Sequence, residues 1–163
     1  MSAQFKIGFG YDVHQFSDNR KLILGGIEIP HTKGLIGHSD ADVLLHAICD
    51  AILGALALGD IGHHFPNTDS KYKNIDSKKL LNEVYYLMKE NHFEIGNIDA
   101  TILLEQPKLA PFIPKMRSTI ASVLNTYEDQ ISIKATTSEG LGFVGQEKGC
   151  AAYAVVLLTQ KDK

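Results

Sequence analysis

From Asp40 to Leu58 the sequence follows a helical pattern that is apolar in nearly every direction. Val43, Leu44, Leu45, Ala47, Ile48, Ala51, Ile52, Leu53, Ala55, Leu56, Ala57 and Leu58 are interrupted chiefly by His46 and Asp50. Ser39 or Asp40 is placed to cap the start, and Gly59-Asp60 to end the helix. A chain of 163 residues with 44% hydrophobic content has room for one domain and one core. Such a domain rarely buries a helix on all sides, and the segment is shorter than the roughly 20 apolar residues of a membrane span. The pattern therefore predicts burial between the subunits of a homo-oligomer.

The flanking segments predict a single α+β domain over residues 1–163, with one mixed sheet and helices packed on one face. Phe5 to His14 alternates as a strand, and Lys21 to Ile29 reads as two short runs around Gly25-Gly26, a hairpin or bulge. Gly62 to Lys73 is polar and turn-rich and reads as a mobile loop. Ser77 is placed to N-cap a helix running to Asn91, with Leu80, Leu81, Val84, Leu87 and Met88 as its apolar stripe. A strand at Asn97–Leu104, a helix from Pro111 to Asn125, a strand at Ile131–Thr137 and a closing strand at Cys150–Leu158 complete the reading.

Charge narrows the function. The 16 basic and 19 acidic residues, net −3, provide no basic stripe for nucleic acid and no polybasic membrane tether, which leaves small-molecule chemistry. Cys49 and Cys150 stand about a hundred residues apart without a C-x-x-C pair, so they read as two buried thiols suited to a reducing compartment. The first residues show neither an apolar signal core nor an Arg-rich transit segment, which predicts a cytoplasmic protein, or an organellar one after removal of a transit peptide.

Asp12 and His14 lie two residues apart on a strand and so point to the same face. His46, on the first turns of the apolar helix and preceded by His38-Ser39-Asp40-Ala41-Asp42, is a polar ring with little reason to be there unless it is coordinated. Two imidazoles and one carboxylate suit a tetrahedral zinc site with an open fourth position, the arrangement of catalytic zinc, while each histidine taken alone also reads as a hydrogen-bonded packing residue and the Asp-x-His spacing is common. His63-His64 sits in the polar loop and reads as solvated or substrate-facing.

Lys134 to Phe143 places Thr136, Thr137, Ser138 and Glu139 at a strand end ahead of Gly140 and Gly142. Hydroxyls and free backbone N–H groups suit phosphate oxygens, and the carboxylate suits a hard divalent cation such as Mg²⁺. The same run also reads as an ordinary strand end with a glycine turn. Asp60-Ile61-Gly62 offers a carboxylate that either accepts from sugar hydroxyls or ends a helix. Glu105-Gln106-Pro107-Lys108-Leu109 either walls a base pocket or joins a strand to a helix.

Taken together, Tyr11-Asp12-Val13-His14, the Gly37 to Asp42 run with Leu45-His46, Gly59 to Gly62 with Phe65-Pro66, Pro107-Lys108 and Lys134 to Thr137 with Glu139 form an ordered pattern over nearly the whole chain. It resembles the 2-C-methyl-D-erythritol 2,4-cyclodiphosphate synthases of the non-mevalonate isoprenoid pathway. The resemblance implies conversion of 4-diphosphocytidyl-2-C-methyl-D-erythritol 2-phosphate to the 2,4-cyclodiphosphate with loss of CMP. It further implies that Asp12, His14 and His46 hold zinc, that Glu139 holds a second ion, Mg²⁺ or Mn²⁺, and that His38 and Thr137 stabilise the transition state. Substrate contacts are implied for Asp12, Val13, His14, His38 and Ser39, and for Phe65, Pro66, Asn67, Thr68 and Asp69 against the methylerythritol phosphate. Asp60 and Gly62 would meet the ribose, and Ile61 between them belongs to the implied substrate contacts. Leu104, Glu105, Gln106, Pro107, Lys108, Leu109 and Ala110, with Thr136 and Thr137, would form the cytidine diphosphate pocket, and Ser138, Glu139, Phe143 and Gln146 complete the implied set. The implied assembly is a homotrimer with each active site between subunits.

Two positions depart from the pattern. Asn67 stands where an Asp is common, and Gln146 where many members carry an Arg that reaches anionic groups. The second weakens the case for a downstream isoprenoid diphosphate in the trimer's central cavity. A zinc-dependent phosphohydrolase and a non-catalytic, metal-braced binding domain are the alternative readings.

Overall fold

Alternation along the first strand decides how the molecule is layered. In β1 (Phe5–Asp18) the side chains of Asp12, His14 and Phe16, together with Gly8 and Gly10, turn toward a helical layer, while Phe5, Ile7, Phe9, Tyr11 and Val13 turn to the opposite face. The computed structural model describes residues 4–161. The leader reading rests in part on residues 1–3, which lie outside this range, as do the last two residues of the expected domain.

A short hairpin, β2 (Leu22–Leu24) and β3 (Ile27–Ile29), turns at Gly25 and Gly26, whose φ values of 61° and 76° suit a two-residue turn that favours glycine. After β4 (Lys33–Leu35) the chain enters α1 (Val43–Ala55), followed by α2 (Ile61–His64) and α3 (Ser77–Glu90). Then come β5 (Phe93–Leu103), α4 (Ile113–Val123), β6 (Ile131–Thr136), α5 (Gly142–Gly145) and β7 (Gly149–Gln160). The main sheet has the order β4-β1-β7-β5-β6, with β5 and β6 parallel and the other pairs antiparallel, and α1, α3 and α4 lie on one of its faces. The α+β class and the mixed sheet agree with the sequence reading.

Helix α1 rests almost directly on β1. A Cβ built on Gly8 would stand 1.7 Å from the Ala51 carbonyl oxygen, and one on Gly10 would stand 1.9 Å from that of Ala47. On its other sides α1 is covered by α3 and the β2-β3 hairpin, so Leu44, Leu45, Ile48, Ile52 and Leu53 are fully buried. Each contributes about 1.5–3 kcal/mol by leaving water. This corrects one expectation: the apolar helix is buried within a single chain, because sheet, hairpin and a second helix enclose it. The uncovered apolar surface is instead the outer face of the sheet. Ile7 is 73% exposed and Phe9 61%, and Tyr153 and Val155 of β7 lie across from Tyr11 and Phe9.

Element ends differ from expectation where side-chain caps compete. Asp42, not Ser39 or Asp40, caps α1 by accepting from Leu45 N, and Asp76, not Ser77, caps α3 by accepting from Lys78 N. The polar loop contains α2 and a 3₁₀ turn at Ser70–Tyr72. Strand β5 starts at Phe93 because it pairs along its length with β7, and β4 and α5 were not foreseen. Among the described residues no helix is long and apolar enough to cross a membrane. Cys49 and Cys150 are buried free thiols.

Candidate metal centre and substrate clefts

The i, i+2 spacing on β1 and the close seating of α1 bring Asp12, His14 and His46 to one point. Asp12 Oδ2 lies 3.0 Å from both His14 Nε2 and His46 Nδ1, and the two ring nitrogens are 3.3 Å apart. A tetrahedral ion with bonds of about 2.0–2.1 Å holds its ligand atoms about 3.3 Å from one another, so this donor set fits such an ion. His14 Nδ1 lies 2.8 Å from the Ile36 carbonyl and donates to it, which leaves the Nε2 lone pair facing the cluster.

Burial pushes the Asp12 carboxyl up, but hydrogen bonds and the charges of His14 and His46 together outweigh it and hold the pKa at about 2. Burial pulls His46 down, yet the Asp12 carboxylate more than compensates, and the net pKa is raised. Asp42, fully buried beneath the cluster, accepts from Gly25 N, Gly26 N and Leu45 N. Burial and the neighbouring Asp40 charge push its pKa up to about 7 against the pull of these donors.

A cleft of about 230 Å³ opens over the three candidate ligands, and His38, Ser39, Ile61, Gly62, Phe65 and Asn67 also line it. His38 Nε2 donates to the Asp69 carbonyl at 3.1 Å, and the His38 carbonyl accepts from Asn74 N at 2.7 Å, so this residue pins the polar loop over the cleft. Asp60 uses a carboxylate oxygen to cap α2 by accepting from His63 N, and the adjacent Ile61 N donates to Asp50 at 2.8 Å. His64 Nε2 donates to the Leu58 carbonyl, while His63 is exposed. Thr68 and Asp69 are exposed and Pro66 partly so.

A second cleft, of about 380 Å³, lies at the far edge of the sheet. Leu104, Glu105, Pro107, Lys108, Leu109 and Ala110 form one wall, and Thr136 and Thr137 the other; Gln106, joined to Pro107 by a cis peptide, is exposed beside it. Glu105 Oε1 accepts from Ser138 N at 2.8 Å and so fixes the turn that carries Thr137 and Glu139. Glu139 is exposed, holds φ 55° and accepts from Thr137 Oγ1 at 3.4 Å.

Within one chain the two clefts share no residue. The register aligns Asp12 with Ala152, Ala152 with Ile102, and Ile102 with Ala135, so both clefts stand at one level of the sheet, three strands apart. At 4.7–4.9 Å per strand that is about 14 Å. Val13 turns to the opposite face of β1 and, with Phe143, lines a third cleft of about 630 Å³; Gln146 caps the end of α5 and is exposed. The sequence reading overlooked Tyr72 and the place of the buried Ser77 behind His46, and it took Gly37 only as part of a motif, without a role at the site. Gly37 carried a signal, since it precedes His38 and a Cβ there would stand 2.9 Å from the His14 ring.

The YgbB family model matches residues 5–159. The 2-C-methyl-D-erythritol 2,4-cyclodiphosphate synthase of Clostridioides difficile is 62% identical over 94% of this chain and 95% of its own length. Among solved structures, the bifunctional IspDF of Campylobacter jejuni superposes with a TM-score of 0.95 at 46% identity over 99% of this chain, which spans 44% of that longer protein. A CDP complex of IspF from Plasmodium falciparum gives a TM-score of 0.87 at 34% identity, covering 99% of this chain and 100% of that one. Sequence and fold agree across almost the entire length, and the chain belongs to the YgbB family.

Proposed function

We propose that the protein is a 2-C-methyl-D-erythritol 2,4-cyclodiphosphate synthase. It would convert 4-diphosphocytidyl-2-C-methyl-D-erythritol 2-phosphate to the 2,4-cyclodiphosphate and release CMP, in the cytoplasm. The observation that carries this reading is the convergence of Asp12, His14 and His46 beneath an open cleft, in a chain 62% identical to an enzyme of that name. Three ligands and an open side suit a catalytic ion better than a structural one.

In the reaction an oxygen of the 2-phosphate attacks the β-phosphorus, a P–O bond forms, the bond to the CMP oxygen breaks, and no water is consumed. When bound, zinc on Asp12, His14 and His46 and Mg²⁺ or Mn²⁺ on Glu139 supply positive charge to the diphosphate oxygens. The chain's own residues align the substrate. His38 and Thr137 would each turn a donor to the reacting phosphates, His38 by releasing the Asp69 carbonyl and Thr137 by releasing Glu139, and Ser39 and residues 65–69 would enclose the methylerythritol phosphate. Asp60 keeps a carboxylate oxygen available to the ribose, while the 104–110 turn and Thr136 hold the cytidine side. The P. falciparum relative solved with CDP supports a cytidine diphosphate pocket.

The assembly belongs to the same proposal. A homotrimer would cover the exposed apolar face of β1 and β7, and it would set the metal cleft of one subunit against the Thr137 cleft of the next, joining halves that lie about 14 Å apart in one chain. Incubation of the purified protein with the cytidylyl substrate tests the chemistry. Equal amounts of CMP and cyclic diphosphate are expected, whereas an uncyclised phosphate product would instead identify a phosphohydrolase.

A further inference from the structure

The His46 ring has a second polar edge that the metal reading leaves unused. Its Nε2 lies 2.9 Å from Ser77 Oγ and 3.1 Å from Ser39 Oγ, in a buried setting. Ser77, fully buried at the first position of α3, stands 2.5 Å from Asp40 Oδ1 through its hydroxyl, and its backbone N–H donates to Asp40 Oδ2 at 2.9 Å. Asp40 Oδ1 also accepts from Asp42 N at 3.1 Å.

These contacts determine which ring nitrogen of His46 carries the hydrogen. A carboxylate has no hydrogen to give, so the Ser77 hydroxyl donates to Asp40. With its only hydrogen committed, Ser77 Oγ meets His46 Nε2 as an acceptor, and Ser39 Oγ, which already accepts from Ala41 N at 3.2 Å, has a lone pair for the same N–H. Nε2 therefore carries the ring hydrogen, and the lone pair resides on Nδ1, 3.0 Å from Asp12 Oδ2. His14 reaches the same condition by a different route, through a backbone carbonyl.

We propose that Ser77, backed by the Asp40 carboxylate, is a positioning residue that locks His46 in the tautomer presenting Nδ1 to the metal. The role rests on the metal-dependent reading above. It links two distant parts of the chain, since Asp40 precedes α1 and Ser77 begins α3. Because Asp40 N also donates to the Ile75 carbonyl at 3.1 Å, the same carboxylate residue anchors the end of the loop that covers the cleft.

Ser77→Ala isolates the effect. It deletes the hydroxyl but keeps the Ser77 N–H bond to Asp40 and the Asp76 cap, so α3 remains docked. Zinc affinity, measured without substrate by competition with a chromophoric chelator at fixed pH, is expected to weaken about 10- to 100-fold, the usual effect of losing a partner behind a metal-bound histidine. The absorption spectrum of the cobalt(II)-loaded protein should change as well. Asp40→Asn should shift affinity in the same direction, and Ser77→Thr, which restores a hydroxyl, should recover most of the loss. Wild-type zinc affinity and an unchanged cobalt spectrum in Ser77→Ala would overturn the proposal while leaving the metal site standing, as would a Thr variant no better than Ala. A wild-type protein that binds no zinc would overturn both. Zinc binding without CMP release would remove the cyclase reading and leave the Ser77 role intact.

Discussion

The close seating of α1 on β1 makes Gly10 the hinge between fold and chemistry, and Gly10→Ala is the perturbation that exposes it. The new Cβ would stand 1.9 Å from the Ala47 carbonyl oxygen and 2.8 Å from Ala51 N. Both are backbone atoms, so no side chain can swing away. Restoring a contact of 3.0–3.4 Å from 1.9 Å requires α1 to retreat by about 1.1–1.5 Å beside Ala47. His46 is the preceding residue of that helix, and its 3.0 Å approach to Asp12 would open toward about 4 Å. Metal bonds tolerate errors of about 0.2 Å, so the site loses a ligand. Replacing a strand glycine normally gains about 0.5–1 kcal/mol of backbone entropy, but overpacking against an enclosed helix costs about 1–3 kcal/mol and wins. The variant is expected to retain far-UV circular dichroism, unfold at lower urea concentration, and purify with much less than one zinc per chain. Gly54→Ala, in the same helix but with no atom nearer than 4.0 Å to its new Cβ, is the control and should be neutral or stabilised by up to about 1 kcal/mol. A Gly10→Ala protein with full zinc and an unchanged unfolding midpoint would refute the argument.

Other predictions bear on the site directly. His46→Ala should lose zinc and turnover together, as metal analysis of the purified protein will test; full zinc retention would remove His46 from the ligand set. Glu139→Gln keeps the shape but not the charge, so zinc content should hold while the Mg²⁺ or Mn²⁺ concentration for half-maximal turnover rises; an unchanged requirement would end the role given to Glu139. His46→Ala and Thr137→Ala chains, each inactive, should regain activity when dissociated and reassembled together, since roughly a quarter of the interfaces in random closed rings pair two intact sides; mixed assemblies that stay inactive would place both residues in one subunit's site. The pH dependence should change sign with metal. In the zinc-free protein the raised His46 pKa contributes stability that is present below its ordinary value of 6.5 and lost as pH rises through the folded value, and Asp12, lowered to about 2, contributes above its ordinary 3.8 and loses that as pH falls toward 2. Zinc must displace the His46 proton, so zinc affinity should fall with falling pH, beginning above 6.5; parallel slopes for the two forms in denaturation and chelator titrations would contradict this.

Much of this was legible in the residues themselves. Period-two alternation puts Asp12 and His14 on one side of β1 whatever the strand packs against, and the Gly25-Gly26 turn follows from backbones that favour positive φ. The ordered motifs from Tyr11 to Glu139 were enough to point to the family. Tertiary structure decided the rest. The all-round apolar pattern of α1 was legible, but not whether a second subunit or the same chain would enclose it, because periodicity reports which faces are buried and not by what. Helix ends were decided by competition among neighbouring carboxylates and hydroxyls, as Asp42 prevailed over Ser39 and Asp40, and that competition depends on which backbone donors fold back within reach. Ser77 shows the limit most clearly. In the sequence it is a helix start 31 residues beyond His46, and only the packing of α3 against α1 brings its hydroxyl to the imidazole. Local preference reaches a few residues along the chain, whereas a metal ligand's orientation depends on hydrogen bonds between segments that meet only in the folded core.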